Sequence, residues 1–400
     1  MTAPATAADP ADGIRPGRVR VAVAGLGTVA QTVHLPLLER LADRFTVAAL
    51  ADLSPGLLRR TGERLGVPEA QRFTEVGTML DHGGFDAVML LTSGSHVPDA
   101  LDALRRGHTV LAEKPLGYAH GELAGLLAAD GPDAGLADRL MVGYMKQYDP
   151  ATRRLVELLA AAGGPEAVHS VEVTVLHPSA EAQLAFARLP APPGDVDPAT
   201  LAALATAQQL PLTAALGAEA APEVRTLYGI TMNSVCHELS LIRLLAGAPA
   251  GVDHAALWRA PSAGEGDPPS VELAGTLAHG GRFGIRWLYQ PDYPAYRETV
   301  TVHHATGSLE LVFPSPYRLN VPTTLTVTGG GEESEHRTVH TSPSGGFEAE
   351  LVAFHELATR GTPPLSGVDE AAADITFAQQ AVARLAAVHG HALTGEAAHA

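Results

Sequence analysis

The sequence predicts a two-domain α/β protein: a doubly wound parallel sheet in the first 150 residues, then a second α/β domain with a mostly antiparallel sheet. Three observations predict it. Short apolar runs alternate with helical patterns from residue 18 to about 145, as in a parallel sheet covered on both faces. After residue 150 the runs become half-exposed, with period two, and are joined by turns, which marks antiparallel strands. The first strand also runs directly into a glycine-rich turn that opens a helix, Gly25-Leu26-Gly27-Thr28-Val29-Ala30.

The elements follow in order. Arg20 to Ala24 reads as a strand, Val29 to Arg44 as a helix, Phe45 to Asp52 as a second strand and Pro55 to Leu65 as a second helix. Phe85 to Thr92 is an apolar run and reads as a buried strand; Pro98 to Arg106 is helical, His108 to Ala112 a strand, and Met141 to Tyr144 one more. In the second half, Ala151 to Ala162 reads as a helix. Val168 to Leu176 alternates, with Val171, Val173 and Val175 on one face. Further β-like runs are Val271 to Leu277, Arg282 to Leu288, Arg297 to His303, Ser308 to Val312 and Thr323 to Thr328. Phe347 to Arg360 and Glu370 to Gly390 return to helix and are expected to pack back on the structure. Between Leu176 and Arg225 lies a Pro- and Ala-rich stretch with a short helix at Leu201 to Gln209. A long insertion of this kind is a solvated loop, or else a lid or a subunit contact.

Four hundred residues suffice for two domains with their own cores. A net charge of −17 argues against nucleic acid or an anionic membrane surface as partner. The single cysteine, Cys236, excludes an internal disulfide and fits a reducing cytoplasm. No run of about 18 apolar residues is free of charges and turn formers. Met1 to Gly17 lacks the basic start and apolar core of a secretory signal and reads as a flexible tail.

The glycine turn carries the first chemistry. Gly25 permits a tight turn, Gly27 lets the backbone approach a pyrophosphate, and Ala30 is small enough for close helix–strand packing. With Thr28 and Val29 they open a helix whose N-terminal amides favour phosphate. Asp52, at the end of the second strand, stands where a carboxylate accepts hydrogen bonds from the ribose hydroxyls of a dinucleotide and repels a 2′-phosphate. Leu53 after it offers no cation, so NAD is expected over NADP; the alternative for Asp52 is a helix N-cap. Thr92-Ser93-Gly94-Ser95-His96 ends another strand and keeps small polar groups at the same edge; His96 is either structural or a neighbour of the cofactor.

Glu113-Lys114-Pro115 carries the second. Val110-Leu111-Ala112 is a buried strand that Pro115 stops, so Lys114 lies at the carboxyl edge of the sheet, where ligands bind. A partly desolvated lysine there exchanges protons or orients an oxygen; the alternative is a surface lysine paired with Glu113. Downstream, Asn233 and His237 stand four apart in a helical pattern ending at Gly247 and share one face. The intrinsic pKa of histidine suits proton transfer; the alternative for His237 is a helix histidine satisfied by a carbonyl. Lys146 and Tyr148, where the first domain passes into the second, are candidates for the substrate cleft, with junction packing the alternative for Tyr148. His303-His304 and the later histidines lack ligand spacing, and no metal site is expected.

Gly25 to Ala30, Thr92 with His96, Glu113-Lys114-Pro115 and Asn233 to Gly247 together resemble the Gfo/Idh/MocA oxidoreductases, the glucose–fructose oxidoreductase and inositol dehydrogenase group. The resemblance implies an N-terminal Rossmann domain and a C-terminal α/β domain with an open sheet that often forms the oligomer interface. It implies that Lys114 binds substrate and is catalytic, that Pro115 adjoins the cofactor through a cis peptide, with Glu113 beside it, and that His237 transfers a proton. The family commonly has Asp where Asn233 stands, and Asn233 cannot act as a base or stabilise a protonated histidine. The chain then divides into a tail at 1–17, an NAD-binding domain at 18–150, a substrate-binding and oligomerisation domain at 151–390 with an insertion at about 177–225, and a tail at 391–400. The implied function is a cytoplasmic, NAD-dependent oxidoreductase acting on a secondary hydroxyl or ketone of a sugar, cyclitol or sugar-like metabolite, as a homodimer or homotetramer through the C-terminal sheet. Alternatives are a redox-neutral NAD-using enzyme and a non-catalytic NAD-binding regulator.

Overall fold

A computed structural model describes residues 17–400, apart from 262 and 332. The expected tail at 1–17 lies outside the described residues except for Gly17. The chain opens with β1 (Val19–Ala24), a π-helical turn at Ala30–His34 and α1 (Leu35–Arg40). It continues through β2 (Phe45–Ala51), α2 (Pro55–Leu65), β3 (Arg72–Phe73), α3 (Val76–His82), β4 (Ala87–Leu90), α4 (Val97–Arg105), β5 (Thr109–Glu113), α5 (His120–Leu123) and β6 (Leu140–Gly143). These six strands are parallel, in the order β3-β2-β1-β4-β5-β6, which is the doubly wound dinucleotide-binding order.

Alternate side chains of each strand feed different cores, as the pleat requires. Ala22, Val88, Leu90, Val110 and Val142 pack with Ala100 and Leu104 of α4 on one face. Val21, Val23, Met89, Leu111 and Met141 face the other way. The cover on that second face comes partly from the far end of the chain. There α12 (Gly346–Arg360) brings Leu351 and Phe354, with Phe354 stacked on Phe45 at 6.4 Å.

After β6 come α6 (Met145–Tyr148), α7 (Pro150–Ala161), β7 (Val168–His177), α8 (Ala180–Leu184), α9 (Pro198–Leu216), α10 (Pro222–Ile230), a second π-helical turn at Thr231–Val235, and α11 (Cys236–Ala246). The insertion is thus largely helical: α9 extends well beyond the short helix expected at Leu201 to Gln209. The second sheet adds β8 (Pro249–Trp258), β9 (Ser270–Leu277), β10 (Arg282–Tyr289), β11 (Arg297–His304), β12 (Gly307–Phe313), β13 (Thr324–Gly331) and β14 (Ser334–Thr341). Its order is β14-β13-β12-β11-β7-β10-β9-β8, antiparallel except where β7 and β10 run side by side. The chain closes with α12 (Gly346–Arg360) and α13 (Val368–His389).

Residues 391–400, expected as a tail, are docked. Glu396 accepts hydrogen bonds from the His120 and Gly121 amides and from Gln379, and Ala397 is buried. Among the described residues no helix is long and apolar enough to cross a membrane.

Candidate active site

The glycine turn is built for close approach of a ligand. Gly25 adopts φ +89°, and a Cβ there would lie 2.6 Å from the Leu91 carbonyl, so only glycine fits between β1 and β4. Gly27 has open space around it and is exposed beside Thr28, while Ala30 is fully buried behind the turn. These residues therefore leave room and free backbone for a pyrophosphate at the start of the helical segment. Asp52 sits at the end of β2, half-buried, with Oδ2 accepting the Leu26 amide at 2.8 Å and Oδ1 the Ser54 amide at 2.9 Å. The N-cap of α2 is Ser54, whose Oγ accepts the Leu57 amide, so Asp52 is not the cap that was its alternative.

Thr92 and His96 lie in the loop after β4. The Thr92 hydroxyl meets His96 Nδ1 at 3.2 Å, and the His96 amide donates to the Leu116 carbonyl. The His96 ring is buried, and burial pulls its pKa down to about 4. It is therefore a neutral support beneath the loop.

Lys114 follows β5, and its peptide bond to Pro115 is cis. Its Nζ reaches across the cleft and donates to the backbone carbonyl of Asn233 at 2.5 Å. Glu113, expected beside the cofactor, turns beneath the sheet edge instead. Its Oε1 lies 2.9 Å from His34 Nε2, and it accepts the Lys114 amide through Oε2. Burial pushes the Glu113 carboxyl up, but the His34 hydrogen bond and the nearby Lys114 charge outweigh it and hold the pKa below the usual range. Glu113 therefore anchors the strand end, and the paired-lysine alternative for Lys114 is not what the structure shows.

The facing wall is the π-helical turn at Thr231–Val235, leading into α11. A π-turn widens the helix locally and often occurs at functional sites. Here it carries Asn233, which is exposed, accepts the Tyr118 hydroxyl at 3.2 Å through Oδ1 and donates to the Gly229 carbonyl. His237 follows in the first turn of α11. Its Nδ1 is buried and without a partner among the described residues. Burial, then the positive charges of Lys114 and Lys146, hold its pKa well below the ordinary value. No carboxylate offsets them, because position 233 is an amide, so the ring is neutral near pH 7. Arg243 pins α11 to α13 through Glu370 at 2.8 Å and Asp374 at 2.6 Å. That pairing fixes the helix that presents His237.

Lys146 and Tyr148 require correction as substrate residues. Lys146 is only 5% exposed and is clamped between Glu238, at 2.7 Å, and Glu298. Burial alone would lower its pKa, but the two glutamates raise it, so it stays charged. The Tyr148 hydroxyl meets Ser366 Oγ and accepts the Leu365 amide, and burial pushes it up to about 12. It packs the domain junction, as its alternative held. Tyr118, Ser234 and Trp287 were not expected: Trp287 Nε1 donates to Ser234 Oγ at 2.8 Å, so the second sheet buttresses the π-turn. A tyrosine four residues past Lys114 was the only available signal for the first, and the other two had none. Among the described residues no group of His, Cys, Asp or Glu could hold a metal ion.

Fold and cleft together define a two-domain protein whose first sheet has the doubly wound, dinucleotide-binding order. Residues 19–129 match the family described as "Oxidoreductase family, NAD-binding Rossmann fold". That match, to the Gfo/Idh/MocA family's NAD-binding domain, spans the first sheet and its glycine turn. An inositol 2-dehydrogenase of Saccharopolyspora erythraea is 29% identical over 147 residues, 36% of this chain and 41% of the relative. The chain therefore matches about two fifths of that curated relative's length. Among solved structures, a putative myo-inositol dehydrogenase from Sinorhizobium meliloti is similar at TM-score 0.64 and 19% identity, covering 92% of this chain and 98% of that one. A 3-ketoreductase from Actinomadura kijaniata, in complex with NADP, is similar at TM-score 0.64 and 17% identity, covering 91% and 96%. At these identities the solved structures establish the shared two-domain fold.

Proposed function

We propose that the protein is an NAD-dependent dehydrogenase or reductase of a secondary hydroxyl or ketone on a sugar, cyclitol or sugar-like metabolite. The observation that carries this reading is the meeting of Lys114, at the carboxyl edge of the sheet, with the π-turn and helix that bear Asn233 and His237. The inositol 2-dehydrogenase relative supports a polyol as the substrate class.

When bound, the nicotinamide ring supplies the hydride acceptor or donor. The chain's residues do the rest. Gly25, Gly27, Thr28, Val29 and Ala30 cradle the pyrophosphate, and Asp52 accepts the ribose hydroxyls with the lone pairs its two amide bonds leave free. Lys114 holds the reacting oxygen of the substrate by its ammonium. His237, neutral and without a carboxylate partner, accepts the hydroxyl proton in oxidation and returns it in reduction. Asn233 offers its exposed amide to a neighbouring hydroxyl.

A panel of polyols and keto sugars, with NAD or NADH and followed by NADH absorbance, tests the reading. Turnover of at least one member is expected, whereas tight NAD binding without turnover on any would favour a regulator. A redox-neutral reaction is the second reading. The insertion, whose Asp195 holds Ser54 and Gly56 beside the cofactor groove, favours retained cofactor, and product formed without net NADH would identify that case. Pairing of two or four copies through the second sheet remains part of the proposal, as does a cytoplasmic location; sedimentation of the purified chain measures the pairing.

A further inference from the structure

The insertion does not project into solvent. It returns from the second domain to the cofactor groove and touches both lips of its adenosine end. On one lip, Asp195 sits over the start of α2: its Oδ1 accepts the Ser54 hydroxyl at 2.5 Å and its Oδ2 the Gly56 amide at 2.6 Å. Pro193 packs there as well, since a Cβ on Gly56 would lie 3.2 Å from it. On the other lip, Gln208 of α9 lies against Gly94 in the loop after β4, 3.0 Å from where a Cβ would be. Ser54 and Gly56 follow Asp52 by two and four positions, so the strap meets the sheet where the adenosine ribose belongs.

We infer that Asp195 is a specificity-determining residue that makes the groove accept NAD and reject NADP. The inference rests on the NAD-binding reading above and deepens it. A 2′-phosphate needs hydrogen-bond donors and positive charge beside the ribose, and a helix N-terminus supplies both. Here the donors that would serve it, the Ser54 hydroxyl and the Gly56 amide, are already held by a carboxylate of the same chain. That carboxylate adds a second negative charge beside Asp52. Arg59 lies near enough for its charge to act on Asp195. The exclusion is therefore built from two carboxylates, one at the strand end and one delivered by the insertion.

Removing Asp195 frees the Ser54 hydroxyl and the Gly56 amide for a phosphate and leaves Asp52 in place. The test is calorimetric titration of the full chain with NAD and with NADP, comparing the unchanged protein with Asp195→Ala and Asp195→Asn. The ratio of NADP to NAD affinity should rise about tenfold or more in Asp195→Ala, the scale of removing one partly screened contact charge. Asp195→Asn, which keeps the shape of the contact and loses its charge, should rise by less. That variant also decides the matter if the alanine variant fails to fold. A ratio that moves less than twofold in both variants, with NAD still bound, overturns the inference and leaves the proposed function standing. Failure of the unchanged protein to bind either dinucleotide overturns both.

Discussion

The carboxyl end of β5 and the short helix after β6 each bring a lysine to the domain junction, and their surroundings separate their roles. Lys114 is half-buried, and the one hydrogen-bond partner of its ammonium among the described residues is a neutral backbone carbonyl, that of Asn233. Its ammonium can exchange that partner for a substrate oxygen at little cost. Lys146 is buried between Glu238 and Glu298, and on each the carboxylate oxygen that Lys146 does not reach has no partner among the described residues. Its ammonium cannot leave without stranding two buried acids. Nearness to the cleft does not by itself leave a lysine free for a ligand. That freedom comes from a charge that is present but not already satisfied.

Substitutions at the two lysines should therefore separate activity from stability. Lys114→Ala should lower turnover by about 10²–10³-fold, the range of a lost donor to a reacting oxygen, with an unfolding midpoint close to that of the unchanged protein. Lys146→Met should do the reverse, costing about 3–5 kcal/mol of folding free energy in denaturant titration by leaving buried carboxylates unpaired. If both variants lose activity and neither loses stability, the distinction between the lysines fails.

A smaller effect concerns acid. The folded pKa of His96, about 4, lies below its ordinary value of 6.5. Between those values the unfolded chain binds the proton and the folded chain does not, so stability is complete above about pH 6.5 and falls as pH drops toward 4. The loss from this group is about 3 kcal/mol, and His96→Gln should flatten that slope in a series of denaturant titrations. Smaller still is the effect at the cleft wall. Asn233→Asp places an anion near His237 and should raise its pKa. In the oxidative direction the rate rises as His237 loses its proton, so the acid limb of the pH–rate profile should move to higher pH. An unmoved limb would remove His237 from the proton path.

The same contrast explains what was legible in the sequence. The strands of the first sheet and the glycine turn are local signals: apolar runs of strand length, and small residues at fixed offsets. The position of Lys114 follows from them directly. Lys146, Tyr148 and Glu113 looked equally poised because their partners are remote. Glu298 is 152 residues from Lys146, Ser366 is 218 from Tyr148, and His34 is 79 from Glu113. β3 has two residues, and β14 is exposed at all but one of its eight positions, so neither carries a hydrophobic period. α9 is apolar on all sides and contains Pro211, which hid its length. The π-turn under Asn233 was not legible either, because one extra residue in a helical turn leaves the apolar spacing almost unchanged.

The central claim is that this cleft passes hydride between a substrate carbon and the nicotinamide. A polyol that the activity panel shows to be a substrate, carrying deuterium on the reacting carbon, tests it most directly when the bound dinucleotide is recovered after a single turnover. Deuterium on the nicotinamide ring is the expected result, whether or not the cofactor is later released. Product formed with no deuterium ever reaching the ring would contradict the account.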